Sequence, residues 1–373
     1  MASAPVQALL DRGVRIVDPG QLFVDADVDA ARIHPTATIF PGARLQGRRT
    51  FLGAGAQVGT EGPATLVDAV LAEGASIASG YAKGAVLLRG ASLGAAGHAR
   101  EGTLLEEEAS TAHAVGLKQT ILMSFVTLGS LINFCDVLMA GGTSRKDHSE
   151  VGSGFIHFNF TPWGKSGDKA TPSLVGDAID GVFLRQRRVF LGGSAGMVGP
   201  RSVGYGSVTG AGQVVRRDVG PGRLVVHPAP AVDDPLDGGR EERVDAVVRK
   251  NVAYIANLHA LRAWYRGARL GRARAGDGAA AAELRVVYEE AIRNLDVCLA
   301  ERVTRLETYL AERGRTLPKL APPEVPPFPL AVGAGAEVEH VAWVRSLPGA
   351  DVDRARAWLT GVARAVQDQL LPS

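Results

Sequence analysis

Residues 33–47 read IHPTATIFPGARLQG, and their apolar positions fall on a beat of six, with Ile33, Ile39 and Leu45 each leading a hexapeptide of small, polar or turn-forming residues. A helix would repeat its apolar residues every three or four positions and a half-buried strand every second one. A period of six with Pro and Gly between the leaders instead describes a short strand, a tight turn and a repeat, the signature of a parallel β-helix. The beat returns at Leu71 and Ile77, at Leu87 and Leu93, and at Leu191, Met197 and Val203. In the left-handed form, three hexapeptides make one triangular coil, each leading aliphatic points into the prism, and stacked coils bury a continuous column. The fold class is therefore mainly β: a left-handed parallel β-helix of hexapeptide repeats, followed by an α-helical C-terminal region.

The bulk numbers fit that reading. The chain of 373 residues holds 46 glycines and only 6% aromatics, a composition suited to a turn every few residues. A net charge of +2 gives no electrostatic case for nucleic acid. No apolar run reaches the roughly 18 residues of a membrane span. Two distant cysteines, Cys135 and Cys298, make no disulfide framework, and with no signal-peptide pattern the expected compartment is the cytoplasm.

Past a Pro/Gly/Asp-rich stretch at 225–241 the period changes to three or four, through Val248, Val252, Ile255 and Leu258, and again through Leu284, Tyr288, Ile292, Leu295 and Leu299. These are two helices, with GRARAGDG (271–278) as the turn between them. The expected organisation is an N-terminal linker or helix at 1–26, the β-helix at 27–230, a helical hairpin at 240–315, and a proline-rich segment with a short C-terminal helix at 316–373. The hairpin is expected to cover the solenoid's open end or to lie in an oligomer interface, with docking of another protein as the alternative.

One stretch competes with the solenoid. DVLMAGGTSRKDHSEVG (136–152) contains a glycine-rich run with basic residues, as a nucleotidyltransferase phosphate loop does. Such a loop follows the first strand of its own α/β domain, whereas this one lies among hexapeptides. It reads better as an insertion in the β-helix, bearing Arg145, Lys146 and His148. No metal-ligand spacing is present.

Several segments carry a resemblance. LLDRGVRIVDPGQLFVDADVDAARIHPTATIFPGARLQG, GSGFIHFNF, SLVGD and VFLGGSAGMVGPRSVGYGSVTGAGQVVRRDV together resemble the acetyltransferase half of the bacterial bifunctional N-acetylglucosamine-1-phosphate uridyltransferase/glucosamine-1-phosphate acetyltransferase. The chain begins where that family's linker begins, so the uridyltransferase chemistry is not implied. The resemblance implies a homotrimer, a phosphosugar or nucleotide-sugar substrate, and acetyl-CoA or another acyl-CoA as donor.

Residue by residue, the family's phosphate-binding arginine falls on Arg100 and its sugar-phosphate lysine on Lys118. A guanidinium fork and an ammonium converging on phosphate make chemical sense. Its substrate asparagine falls on Asn159, a loop lysine on Lys169 with Lys165 second, and its CoA-contacting small residues on Gly193 and Ala211. Asn133 replaces a tyrosine. The main departure is Ser130, which stands where the family has its catalytic histidine. A serine hydroxyl is far too weak a base to serve alone. His148, on the insertion, and His157, two residues before Asn159 and so expected on the same strand face, are the candidate substitutes, with Ser130 left to orient substrate or stabilise an oxyanion. Each histidine has a structural reading as well. Two functions follow: an acyltransferase acting on a phosphosugar or nucleotide sugar, or a non-catalytic binding or regulatory protein that has lost the transferase base.

Overall fold

A computed structural model describes residues 3–161, 167–227, 243–332 and 339–371. It is a parallel β-solenoid of about eleven coils followed by a helical region. One face is an 11-stranded sheet running from Arg15–Ile16 to Leu224–Val225. The long strands Gly116–Leu122 and Asn133–Met139 each bend round a corner and serve two further faces: Leu117 stacks on Ala99, while Ile121 and Leu122 stack on Leu104 and Leu105. The first face thus holds Ser110–Thr111 and Thr127–Leu128, the second Gly97–Ala99 and Ile156–Phe158, and the third Leu104–Leu105 and Ser173–Val175.

The hexapeptide leaders do what their spacing demands. Ile33, Ile39, Leu45, Leu71, Ile77, Leu87, Leu191 and Met197 are all fully buried in one column. Each corner between faces is turned by residues in the left-handed region: Ala114 and Leu131 at the first corner, Gln119 and Asp136 at the second, Glu108 and Phe125 at the third. The left-handed conformation costs a residue with a Cβ about 1–2 kcal/mol, and the coil offsets it by pairing the backbone on both sides. Helix α1 (Ala4–Asp11) seats Val6 and Leu9 against the end of the column.

The remaining helices are α2 (Ala178–Gly181), α3 (Val244–Trp264), α4 (Gly271–Ala275), α5 (Gly278–Ala311), α6 (His340–Ser346) and α7 (Gly349–Leu370). They do not close the open end of the prism. They lie along its third face, where the outward residues Phe51, Val70, Val86, Leu104, Ile121 and Leu138 share an apolar cluster with Val252, Ile255 and Leu258 of α3 and Leu295 and Leu306 of α5. Strands that carry an apolar residue on both faces, as Val70-Leu71, Val86-Leu87 and Leu104-Leu105 do, are strands buried on both faces. The expected turn at 271–278 is also shorter than its letters suggest. Helical backbone continues through a π-helical segment at Tyr265–Leu270 into α4, and breaks only at Gly276 and Asp277.

That π-helical segment holds the charge pair that joins the two regions. Arg269, 2% exposed, donates to both oxygens of Glu107 and lies 3.3 Å from Glu106. The Tyr265 hydroxyl donates to Glu106 at 2.8 Å, and the Ser124 hydroxyl donates to Glu107 at 3.0 Å. Burial raises the Glu106 carboxyl above its ordinary range. It pushes Glu107 the same way, but the charge and hydrogen bonds of Arg269 outweigh it and hold Glu107 low. Removing one partner of such a buried set leaves charge without compensation, at a cost of about 3–5 kcal/mol. Arg269→Met is therefore expected to lower stability by about that amount in a denaturant titration, and adding Glu106→Gln and Glu107→Gln to restore part of it. An unchanged midpoint in the single variant would contradict the assignment.

Candidate functional site

The ladder places residues two positions past each first-face strand on one corner. Thr111 pairs with Leu128, Leu128 with Val151, Val151 with Leu191, and Leu191 with Thr209. His113, Ser130, Ser153, Gly193 and Ala211 therefore succeed one another along the first corner. Ser130 is held on both sides: its N–H donates to the Ser153 hydroxyl at 3.1 Å, and its carbonyl accepts from Gly154 at 2.8 Å. Its own hydroxyl lies 2.9 Å from Nδ1 of His113, one coil away. Gly193 and Ala211 leave this ridge without bulk. A Cβ on Gly193 would come within 2.7 Å of the Ser153 carbonyl oxygen, so coil stacking also demands a glycine there.

Beside this corner, the second face carries an open cleft of about 510 Å³, lined by residues that include His98, Arg100, Leu131, Asn133 and Ile156. Its polar groups come from successive coils, since His98 pairs with Gly116 and Gly116 with Asn133. Arg100 is exposed and its guanidinium contacts the thiol of Cys135. Burial, and after it the nearby Asp136, raise that thiol above its ordinary range, against the opposing pull of Arg100 and Lys118.

The second corner is occupied by the helical region. Arg302 of α5, 2% exposed, lies 3.0 Å from Asp136, and Asn159 donates to the same carboxylate at 3.1 Å. Burial raises the Asp136 carboxyl, against the opposing pull of Arg302. Glu301 sits 4.0 Å from the Lys118 ammonium. Lys118 and Asn159, expected to hold substrate, thus have carboxylate partners of their own. Lys169 is exposed and shares a smaller cavity of about 150 Å³ with Arg305, Thr308 and Glu312. Lys165 lies outside the described residues. No periodicity in the first half of the chain could have revealed Glu301 and Arg302 at this corner.

The two proposed histidine bases are placed elsewhere. His157 points inward, not alongside Asn159 toward solvent. It is 2% exposed, with Nδ1 2.6 Å from the Cys135 carbonyl and Nε2 2.8 Å from the Ser173 hydroxyl. The strand Ile156–Phe158 presents Ile156 and Phe158 outward and His157 to the core, and it ends before Asn159. Burial pulls the His157 pKa down from 6.5 to about 4.

His148 stands at the third corner, away from Ser130. Within 136–152 only the middle leaves the solenoid: after strand Asn133–Met139 the chain forms a small antiparallel hairpin, Gly142–Ser144 with Asp147–His148, and re-enters as strand Glu150–Val151. No helix follows the glycines, so the convergent N–H groups of a phosphate loop are missing. Arg145 donates to the carbonyls of Glu108 and Phe125 and lies 3.2 Å from His148, while Lys146 is exposed at the hairpin tip. Burial and the Arg145 charge lower the His148 pKa. Arg188, which follows Arg185 and Arg187 in sequence, pairs with Asp147 and braces this hairpin.

No family model matches the chain. The chain is similar to the bacterial bifunctional protein GlmU. It is 31% identical over 218 residues to the GlmU of Kineococcus radiotolerans, 29% over 214 residues to that of Mycobacterium sp. (strain KMS), and 28% over 246 residues to that of Rhodococcus jostii. The matches cover 58%, 57% and 66% of this chain. They cover 39%, 38% and 42% of the relatives, so the chain spans about two fifths of the length of the curated relatives it matches. The similarity to GlmU and the solenoid agree with the resemblance seen in the sequence. Among the described residues no helix is long and apolar enough to cross a membrane.

The buried histidine gives a pH dependence of stability. A folded pKa of about 4 against 6.5 means the unfolded chain binds the extra proton. The contribution is present above pH 6.5 and is lost as pH falls from there toward 4. It amounts to on the order of 3 kcal/mol. Denaturant titrations between pH 7 and pH 4 are expected to show this loss, and His157→Gln to flatten the slope. An unchanged slope in the variant would refute it.

Proposed function

We propose that the protein is a hexapeptide-repeat acyltransferase that moves an acyl group from acyl-CoA to a phosphosugar or nucleotide sugar. The observation that carries this reading is the alignment of Ser130, Gly193 and Ala211 on one corner, beside the cleft that holds Arg100 and Asn133. The acyl-CoA arm would follow the small residues of that corner, with its thioester near Ser130. The exposed Arg100 guanidinium would take the phosphate, because a planar fork of donors matches phosphate oxygens. Asn133, two coils on, would hydrogen-bond the sugar. A homotrimer, in which a second copy walls the cleft and brings Lys169 or the hairpin of Arg145, Lys146 and His148 toward it, belongs to the same proposal.

One observation favours the second reading, a binding or regulatory protein without catalysis. Lys118 and Asn159 are engaged by Glu301 and Asp136, which leaves two of the expected substrate contacts committed within the chain.

Purified protein mixed with acetyl-CoA and glucosamine-1-phosphate, or with UDP-amino sugars, is expected to release free thiol in proportion to an acylated product. Arg100→Ala is expected to raise KM for the sugar phosphate at least about tenfold, the loss of one charge-assisted phosphate contact. Saturable sugar-phosphate binding with no thiol release would replace the acyltransferase reading with the binding one.

A further inference from the structure

The geometry points to His113 as the proton acceptor for the transfer, working through the hydroxyl of Ser130, one coil away. This inference rests on the acyltransferase reading above. The base absent at position 130 is supplied by the adjacent coil instead of by His148 or His157.

The arrangement follows from the fold. Ser110 and Thr111 pair in register with Thr127 and Leu128, and the Leu131 N–H donates to the His113 carbonyl at 3.1 Å. Ala114 and Leu131, which follow His113 and Ser130, both turn the corner in the left-handed conformation. The two side chains therefore leave identical turns on stacked coils, and Nδ1 of His113 meets the Ser130 hydroxyl at 2.9 Å. Ala114 and Leu131 line the cleft itself, so the pair stands at its edge. His113 is exposed, unlike His157. His148 is tied to Arg145 at another corner.

The step balances without a co-reactant. The acceptor's amine or hydroxyl attacks the thioester carbonyl carbon, and the new C–N or C–O bond forms. The acceptor's proton passes to the Ser130 oxygen as the serine's own proton passes to Nδ1 of His113. The tetrahedral intermediate collapses, the C–S bond breaks, and the imidazolium returns its proton through the same hydroxyl to the departing thiolate. The ring must start neutral with its proton on Nε2. The other titratable groups at the cleft are His98, stacked on Tyr81, and Arg100.

The test is thiol release across pH for the full chain and its variants, with circular dichroism to confirm folding. His113→Gln is expected to lower kcat about 100-fold or more and to abolish the acid limb of the pH profile, as loss of a positioned base does. Ser130→Ala is expected to lose a comparable factor. His98→Gln is expected to keep the limb. Ser130→His placed in the His113→Gln background is expected to recover activity by putting an imidazole at the corner directly, a rescue that a purely structural role for His113 would not allow. Full activity in His113→Gln, or loss of the limb in His98→Gln instead, would overturn the inference while leaving the acyltransferase reading intact. An acyl mass on Ser130 after acetyl-CoA alone would also overturn it, because the serine would then be the nucleophile. No thiol release from the unaltered protein with any of these acceptors would remove the acyltransferase reading and this role together.

Discussion

Coil-on-coil register is the constraint on which the rest of this molecule depends. Each backbone N–H of one short strand is satisfied by the next coil, so a side chain's address is set by its distance from its strand and not by its distance along the chain. Ser130, Gly193 and Ala211 are far apart in sequence and lie on one ridge. His113 and Ser130, seventeen positions apart, touch. The same register keeps His148 off that ridge, because the hairpin that carries it leaves from a different corner.

The second organising fact is the docking of the helices along a face. Apolar area supplies most of the attraction, since the outward residues of the third face and the inward residues of α3 and α5 form one cluster. The buried carboxylates Glu106 and Glu107 are tolerable only because Arg269 and Tyr265 meet them. Docking reaches the second corner as well, where α5 delivers Arg302 to Asp136 and Glu301 toward Lys118. The helical region is thus part of the candidate site's electrostatics, and any substrate phosphate near Lys118 competes with a carboxylate of the same chain.

The contrast between the histidines shows how position decides chemistry. His157 lies in a coil that resembles a substrate-binding one, yet its side chain faces the core and serves as a neutral hydrogen-bonding group between Cys135 and Ser173. Strand parity would place His157 and Asn159 on one face, but the strand ends at Phe158 and the asparagine turns to Asp136 instead. His113 carries no motif, and its only sequence signal is that it occupies, one coil earlier, the position of Ser130.

The solenoid is legible in the residues alone, because a six-residue apolar beat is a local pattern that only a turning, stacking chain can bury. The long helices are legible there too, through their change of period. The paired apolar residues at Val70-Leu71, Val86-Leu87 and Leu104-Leu105 held the further message that one face is covered, legible once the face is known. Which face the helices cover, the presence of Glu301 and Arg302 at the second corner, and the histidine that stands beside Ser130 emerge only from long-range packing. Those facts depend on contacts between residues as much as 183 positions apart, from Lys118 to Glu301, fixed by coil register and by packing between regions, and no local pattern encodes such a distance.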